Sequence, residues 1–291
     1  MRRDALDRLL DAARRGERTL IVGILNVTPD SFSDGGRFAV TEDAVAEGCR
    51  LWDEGADIID VGGESTRPGA SVVPVSEELR RVVPVVEALA KRCPAPISVD
   101  TRKARVAEAA IAAGADLVND VSAMTADPDM LGVVAGSGSA VCLMHMQGAP
   151  DTMQDNPTYS DVVREVRSYL SARAEAAISA GVCPSRIVLD PGFGFGKTLE
   201  HNLELLRRLS EIADLGFPVM AGTSRKSMLG RILDGKPPSD RIEGTAATVA
   251  IAIAKGASLV RVHDVRIMAR VARVADAVSR PGWRPQPSDL R

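Results

Sequence analysis

Leu20-Ile-Val-Gly-Ile-Leu-Asn26 is an apolar run that ends in a polar side chain, and seven similar runs follow it along the chain. They lie at residues 57–60, 97–100, 117–120, 140–145, 187–190, 218–224 and 259–263. Nearly all end in a polar or charged residue, and each precedes a turn and a helical stretch. Strands buried on both faces form continuous apolar runs, and their alternation with helices implies parallel crossovers. Eight such units predict an α/β fold, a (β/α)8 TIM barrel whose functional site lies at the carboxyl ends of the strands.

The chain has 291 residues, which suits one barrel of roughly 250 residues with short extensions. We predict a helical extension at residues 1–18, the barrel at 19–279 and a flexible tail at 280–291. Leu6, Leu9 and Leu10 make the extension a short amphipathic helix that closes the lower end of the barrel. The predicted helices lie at 41–54, 76–91, 103–113, 129–135, 160–180, 199–212, 242–255 and 265–278, with Thr41 and Ser160 as N-caps.

A weak internal repeat supports the barrel. The triplet Gly-Ala-Asp begins at Gly55 and at Gly114, and Gly-Ala-Ser begins at Gly256. Each glycine follows a predicted helix and precedes a predicted strand. We expect a left-handed backbone conformation there, which turns the chain from the helix into the strand.

The composition argues against several classes of protein. A net charge of −3 with scattered lysines and arginines gives no basic surface for nucleic acid. No apolar run reaches the ~18 residues that a membrane span needs, and residues 1–18 lack the apolar centre of a signal peptide. The four cysteines, Cys49, Cys93, Cys142 and Cys183, form no C-x-x-C pair, so we expect reduced thiols and a cytoplasmic protein.

The segment Pro191-Gly-Phe-Gly-Phe-Gly-Lys-Thr198 follows the sixth run and superficially matches a phosphate-binding P-loop. The P-loop needs a glycine where this chain has Pro191, and the dinucleotide spacing G-x-G-x-x-G also fails. We therefore predict a tight turn that lets the backbone approach a ligand, with Phe193 or Phe195 as an apolar wall.

Arg261 and His263 are two residues apart on the eighth predicted strand, so their side chains project to the same side. The loops after strands seven and eight of such barrels commonly bind phosphate, and an arginine can bind an oxyanion through two N–H groups. The pair predicts an anion clamp. The alternative is an ion pair at the strand end with Asp264.

Ser224-Arg-Lys226 ends the seventh run and faces the same rim as a set of carboxylates and one amide. This set comprises Asp60, Asp100, Asn119, Asp120 and Asp190. Their convergence with a lysine predicts a site for a heterocycle rich in N–H donors. Asp190 would accept two hydrogen bonds from an amino-pyrimidinone edge, and Lys226 would donate to its carbonyl oxygen. A purely structural role for any single carboxylate stays open.

Together these motifs resemble the dihydropteroate synthase family, the folate-pathway enzymes that sulfonamides inhibit. The matching segments are 23–36, 60–69, 98–101, 119–120, 189–196, 224–226 and 261–264. They occur in order and span the whole predicted barrel. The first two are long and specific.

The resemblance implies the condensation of 6-hydroxymethyl-7,8-dihydropterin pyrophosphate with p-aminobenzoate. The products are 7,8-dihydropteroate and pyrophosphate, and the pyrophosphate leaves before the arylamine attacks. The resemblance also implies Mg²⁺ as the cofactor, sulfonamides as inhibitors and a homodimer. The aliphatic helices predicted at 242–255 and 265–278 are the candidate contact face.

The resemblance also implies, position by position, three neighbouring subsites. The pterin would contact Asp100, Asn119, Asp190 and Lys226. The pyrophosphate would contact Asn26, Arg261 and His263, with Asn26 also a ligand of Mg²⁺. The p-aminobenzoate would contact Phe32, Asp34, Thr66, Arg67, Pro68, Phe195 and Ser224. The catalytic residues would be Asn26, Lys226, Arg261 and His263.

Two other functions stay open from the sequence. A methyltetrahydrofolate-binding corrinoid methyltransferase could share the Asp/Asn pocket, but it has no need for residues 65–69 or for Arg261 with His263. A non-catalytic pterin-binding paralogue should have lost Asn26, Lys226 or Arg261, and all three are present.

Overall fold

The computed structural model describes residues 2–28, 37–65, 72–149, 152–281 and 283–284. Within these ranges the strands are β1 Leu20–Asn26, β2 Ile58–Gly62, β3 Ile97–Asp100, β4 Leu117–Asp120, β5 Ala140–Met144, β6 Ile187–Asp190, β7 Met220–Ala221 and β8 Leu259–Val262. They pair in parallel in the order β6-β5-β4-β3-β2-β1-β8-β7. A bridge between Leu189 and Val219 joins the two outer strands. The predicted (β/α)8 barrel is therefore confirmed.

The helices of the described chain surround this sheet. They are α1 Arg2–Arg14, α2 Arg37–Asp53, α3 Val75–Arg92, α4 Ala104–Ala113, α5 Met130–Ser137, α6 Val162–Ser179, α7 Leu199–Arg207, α8 Ser210–Ala213, α9 Ser227–Ile232, α10 Ile242–Ala254 and α11 Val265–Ser279. Both predicted N-caps are wrong. Thr41 lies inside α2. Asp161 caps α6 by accepting hydrogen bonds from the backbone N–H groups of Val163 and Arg164.

The glycine prediction is confirmed at all three positions. The φ angles are +108° at Gly55, +116° at Gly114 and +98° at Gly256. Residues with a Cβ rarely adopt this left-handed region. Each glycine thus ends a helix and starts the return to the barrel.

Side chains on the strands alternate between the barrel interior and the helix layer. Leu20, Val22 and Ile58 belong to an interior apolar cluster, whereas Ile21 packs with the helices. Leu10 of α1 is fully buried in the interior cluster, together with Leu6. The N-terminal helix therefore closes the lower end of the barrel.

Towards the carboxyl end the interior positions become polar. The strand register aligns Asp60 with Ile24 on one side and with Ser98 on the other. One step further along the strands, Asp100 aligns with Asn119. The barrel thus collects polar side chains from separate strands at two successive levels near its carboxyl end.

We propose that residues 1–18 form an N-terminal extension, residues 19–279 the barrel and residues 280–291 a tail. This division is supported by the end of α1 at Arg14, the start of β1 at Leu20 and the end of α11 at Ser279. Arg280 itself is tied to the barrel, because it donates to Asp276 at 2.6 Å and to Thr19 at 3.0 Å. None of the described helices is long and apolar enough to cross a membrane.

Candidate active site

A cavity of about 280 Å³ opens at the carboxyl ends of the strands. Every described residue that the resemblance assigns to a subsite lines it: Asn26, Asp100, Asn119, Asp190, Phe195, Ser224, Lys226, Arg261 and His263. Asp60 and Asp120, the other members of the predicted carboxylate set, do not line it. The remaining predicted residues, Phe32, Asp34, Thr66, Arg67 and Pro68, lie outside the described residues. The fold therefore brings together side chains from six strand ends that are distant in sequence.

The deepest wall of the cavity is acidic, and its side chains are almost completely buried. Asp100, Asn119 and Asp190 are 7%, 4% and 4% exposed. Burial raises the pKa of Asp190, although the N–H of Gly192, 2.7 Å from Oδ1, favours its charged form. Burial also raises the pKa of Asp100, to about 7. Carboxyl groups held in this way gain from a ligand that supplies N–H donors.

Arg261 does not stand free at the rim. Its Nε donates to Asp60 at 2.6 Å, and its Nη2 donates to Asp100 at 2.7 Å. Burial opposes the charged form, but attraction to these two carboxylates raises the pKa of Arg261. Asp60 is completely buried and also accepts a hydrogen bond from Asn119 at 3.1 Å. Asp60 thus holds two cavity side chains in place, a role that the sequence alone did not assign.

The alternative ion pair with Asp264 is wrong for Arg261. Asp264 instead pairs with Arg225, whose Nε and Nη2 lie 3.0 and 2.6 Å from its two oxygens. Arg225 has a φ of +58°, an unusual value for a residue other than glycine. The backbone turns sharply between Ser224 and Lys226, and the side chains of both line the cavity. Such strain costs about 1–3 kcal/mol and is typical of functional sites.

His263, directly after β8, is held by Ser224, which lies in the segment after β7. The hydroxyl of Ser224 lies 3.0 Å from Nδ1 of His263 and accepts the backbone N–H of His263 at 3.2 Å. These two contacts hold the imidazole at the cavity edge. The half-buried ring can present its second nitrogen, Nε2, to an anion.

The glycine-rich turn after β6 brings Gly192 and Gly194 to the cavity, and its glycines have a second role in packing. A Cβ on Gly192 would lie 1.9 Å from the carbonyl oxygen of His145, and one on Gly196 would lie 2.3 Å from that of Gln147. Their φ angles are +71° and +59°. The glycines are therefore required by close packing on the loop after β5. The predicted apolar wall is present, since Phe195 lines the cavity with its ring 4.0 Å from the Nζ of Lys226.

A buried ion cluster lies beside the cavity at the ends of β2 and β3. Lys103 pairs with Glu64 and with Glu78, which is 1% exposed. The ammonium group also donates to the carbonyl oxygen of Val73 at 2.8 Å, and the N–H of Val73 donates to Glu64 at 2.9 Å. The cluster joins the residues on either side of segment 66–71 in sequence. The sequence analysis did not predict this cluster. The only signal for it in the sequence is the opposite charge of Glu64 and Lys103.

The side chains of the cavity fit a magnesium ion that is coordinated mainly by the phosphate oxygens of a bound molecule and by water. Among the described residues no three His, Cys, Asp or Glu side chains group as a metal site. Asn26 offers one amide oxygen in the cavity that also contains Arg261 and His263. Mg²⁺ keeps several waters and commonly takes one or two protein oxygens together with substrate phosphates.

A larger open depression, about 1580 Å³, lies at the opposite end of the barrel. Arginines line it, but several of them are paired with nearby carboxylates. Arg18 pairs with Asp57, and Arg280 pairs with Asp276. None of the described residues that the resemblance assigns to a subsite lines this depression.

Comparisons with known proteins match nearly the whole barrel. Residues 22–263 match the family described as pterin binding enzyme. A dihydropteroate synthase of Synechocystis sp. is 50% identical over 269 residues, which cover 92% of this chain and 92% of that protein.

Two solved structures are also similar. The Xanthomonas albilineans dihydropteroate synthase with 4-aminobenzoic acid has a TM-score of 0.85 and 48% identity, covering 91% of this chain and 94% of that one. The Yersinia pestis dihydropteroate synthase with a sulfonamide drug complex has a TM-score of 0.85 and 46% identity, covering 90% and 95%.

Proposed function

We propose that this chain, which belongs to the dihydropteroate synthase family of pterin binding enzymes, catalyses the reaction of that family. It condenses 6-hydroxymethyl-7,8-dihydropterin pyrophosphate with p-aminobenzoate and releases 7,8-dihydropteroate and pyrophosphate. The observation that supports this most is the single cavity lined by every described residue that the resemblance assigns to a subsite. The identity of 50% to a synthase speaks against the corrinoid methyltransferase alternative.

We assign the pterin to the acidic wall of the cavity. The N–H groups of its amino-pyrimidinone edge donate to Asp190, and Asn119 and Asp100 complete the contacts. Lys226 donates to the carbonyl oxygen of the ring. Folding removes these buried polar groups from water, and a bound heterocycle would supply hydrogen bonds in place of the lost water. This gain favours binding.

We assign the pyrophosphate to Arg261, His263 and Asn26. When the bond between the methylene carbon and the pyrophosphate oxygen breaks, the electron pair leaves with the pyrophosphate. Nε and Nη2 of Arg261 are held by carboxylates, so the remaining nitrogen, Nη1, donates to the anion together with His263. Donors that are held in place before the reaction stabilise the charge that develops on the leaving group.

Synthases of this family use a divalent metal ion for the departure of pyrophosphate. We propose that here the ion is Mg²⁺ and that Asn26 contributes its side-chain oxygen. When bound, Mg²⁺ supplies positive charge to the leaving phosphate oxygens. The other protein groups act by binding and orienting the substrate.

The amine of p-aminobenzoate then attacks the methylene carbon, and the new C–N bond forms with loss of one proton from nitrogen. We assign Phe195 and Ser224 to the described side of this second subsite. Phe32, Asp34, Thr66, Arg67 and Pro68 remain its proposed other side. The relatives that hold 4-aminobenzoic acid and a sulfonamide support p-aminobenzoate as the second substrate and sulfonamides as inhibitors.

We also propose a homodimer in the cytoplasm. The faces of α10 and α11 expose aliphatic side chains: Ile251 at 45%, Ile267 at 41%, Val274 at 67% and Val278 at 84%. Exposed apolar side chains on neighbouring helices favour contact with a second copy. The four cysteines are all free, which supports a reducing compartment.

The decisive experiment incubates the protein with the dihydropterin pyrophosphate, labelled p-aminobenzoate and Mg²⁺. We expect labelled dihydropteroate and one pyrophosphate per product, and loss of both when a chelator removes the metal. Pterin binding without product would instead indicate the non-catalytic paralogue. Transfer of a methyl group from methyltetrahydrofolate would indicate the corrinoid-dependent alternative.

A further inference from the structure

Lys197 is a buried lysine beside the cavity that the proposed reaction does not use. It is only 3% exposed. Its Nζ donates to the carbonyl oxygens of Gly192 at 2.9 Å and Phe195 at 3.0 Å, and it lies 3.0 Å from Nδ1 of His145. A longer contact of 3.4 Å joins Nζ to the carbonyl oxygen of His145. An ammonium group has three N–H donors, so the three shorter contacts are enough to use all of them.

The acceptors are uncharged, which indicates that the lysine is kept for its hydrogen bonds. Burial lowers the pKa of His145 to about 3, so its imidazole is neutral and Nδ1 can accept a hydrogen bond. Burial also lowers the pKa of Lys197, to about 7, although attraction to Asp190 favours the charged form. Tyr169 packs edge-on against His145, with ring centroids 5.0 Å apart, and fixes this acceptor.

The two carbonyl groups belong to one turn of the cavity wall. Within it the N–H of Phe195 donates to Gly192 at 3.1 Å, so Lys197 binds the turn at both ends. The same turn carries the Phe195 ring, which faces the Nζ of Lys226 at 4.0 Å. A chain of contacts therefore leads from Lys197 through Phe195 to the lysine assigned to the pterin carbonyl.

We propose that Lys197 is a positioning residue for the pterin site. Its three hydrogen bonds fix the turn at residues 192–195, so that the Phe195 ring holds the Nζ of Lys226 in the cavity. Lys197 touches no substrate in this scheme. The inference rests on the proposed function in one respect, because it takes the pterin as the ligand of Lys226.

The test is a double-mutant cycle on pterin affinity, measured by calorimetry with the dihydropterin pyrophosphate. Lys197→Met keeps most of the side-chain volume but removes the donors. We expect it to weaken binding about tenfold in the unsubstituted protein, the size of a lost cation–π arrangement. In the Phe195→Ala background the same change should weaken binding less than about twofold, because the intermediary is already gone.

Lys255→Met is the matched control, since this lysine is exposed at the end of α10 and should leave affinity unchanged. Lys197→Gln keeps two N–H donors on a shorter side chain and should restore part of the affinity. It also replaces Lys197→Met in the cycle if the methionine variant does not fold.

Two results would overturn the proposal. In one, Lys197→Met lowers the melting temperature but leaves pterin affinity unchanged, which makes the residue structural only. In the other, the loss of affinity is equal in both backgrounds, so that Lys197 does not act through Phe195.

The proposed function fails separately if the unsubstituted protein does not bind the pterin at all. Hydrogen exchange then still tests the effect on the turn, because Lys197→Met should accelerate exchange at the amide of Phe195. Unchanged exchange there would reject the positioning role without reference to any ligand.

Discussion

At the amino end of the barrel the interior is filled by leucine, valine and isoleucine, and α1 closes it, whereas at the carboxyl end the interior is lined by carboxylates, amides and an arginine. Both ends are nevertheless rich in aspartate. At the amino end, Asp57 accepts the N–H of Ile21 at 2.8 Å, and Asp116 accepts the N–H of Ile97 at 3.0 Å. These aspartates satisfy backbone donors where strands begin.

The aspartates at the carboxyl end have different partners. Asp60 and Asp100 hold a guanidinium group, and Oδ1 of Asp190 accepts the N–H of Gly192. Their carboxyl groups surround a space large enough for a ligand. Asp57 and Asp116 at the amino end thus satisfy backbone groups, whereas Asp100 and Asp190 at the carboxyl end line the cavity.

The largest effect should come from His263→Ala. We expect turnover to fall by roughly 10²–10³-fold, because the variant loses a fixed donor to the leaving group. We expect thermal unfolding to change little, because the side chain lies at the cavity edge and is only partly buried. Steady-state kinetics and calorimetric unfolding check both points, and near-normal turnover would remove His263 from the pyrophosphate subsite.

Arg261→Ala is a less clean experiment than His263→Ala. It would also leave Asp60 and Asp100 buried without their counter-ion, and breaking a buried pair typically costs about 3–5 kcal/mol. We therefore expect loss of both turnover and stability. Loss of turnover alone would show that the two carboxylates tolerate burial without Arg261.

The next effect compares one substitution at the two ends of the barrel. Asp190→Asn should weaken pterin binding by about 1–3 kcal/mol, roughly 5–150-fold. The NH₂ group of the asparagine would face an N–H group of the pterin, and two donors cannot form a hydrogen bond. Unfolding free energy should not fall, since burial already raises the pKa of Asp190. Calorimetry with the dihydropterin pyrophosphate measures the affinity, and an unchanged value would make Asp190 structural.

Asp116→Asn is the matched change at the amino end. The amide oxygen can still accept the N–H of Ile97, so we expect a change in unfolding free energy of at most about 1.5 kcal/mol. Pterin affinity and turnover should equal those of the unsubstituted protein. A loss of affinity similar to that of Asp190→Asn would contradict the distinction between the two ends.

The sequence predicted the number and order of the strands, because burial on both faces leaves a strong apolar pattern. It overestimated β7, which comprises only Met220–Ala221 of the run at 218–224. Helix ends were less predictable. Ser160 and Asp161 are both good N-caps, and only the three-dimensional path of the chain selects Asp161. The segment at 199–212 has one apolar pattern but forms two helices, α7 and α8. Local preferences there are weak compared with packing against the barrel.

The site was predictable as a set of residues but not as a network. Strand-end position and the family resemblance identified the residues that line the cavity. The pairing of Arg261 with Asp60 and Asp100 joins positions 201 and 161 residues apart. Such partners depend on strand register. The apolar pattern shows which face of a strand is buried, but it does not show which residues of distant strands lie side by side. The contacts of Lys197 were missed for the same reason.

The smallest effect concerns Asp100 and pH. Burial raises the pKa of Asp100 to about 7, from an ordinary value of 3.8. Between these values the folded protein holds a proton that the unfolded chain releases, so the contribution of Asp100 to stability is present below the lower pKa. It is lost as the pH rises through the higher one, with a slope of at most about 1.4 kcal/mol per pH unit.

Asp100→Asn should remove this dependence, because the amide does not titrate. We would measure urea unfolding of both proteins between about pH 5 and about pH 7, where the other carboxylates of the chain titrate alike in both and cancel. The unfolding free energy of the unsubstituted protein should fall relative to that of the variant as the pH rises. A relative rise would instead mean that Arg261 keeps Asp100 ionised throughout this range. The attraction of Asp100 to the guanidinium group of Arg261 would then outweigh the effect of burial on its pKa.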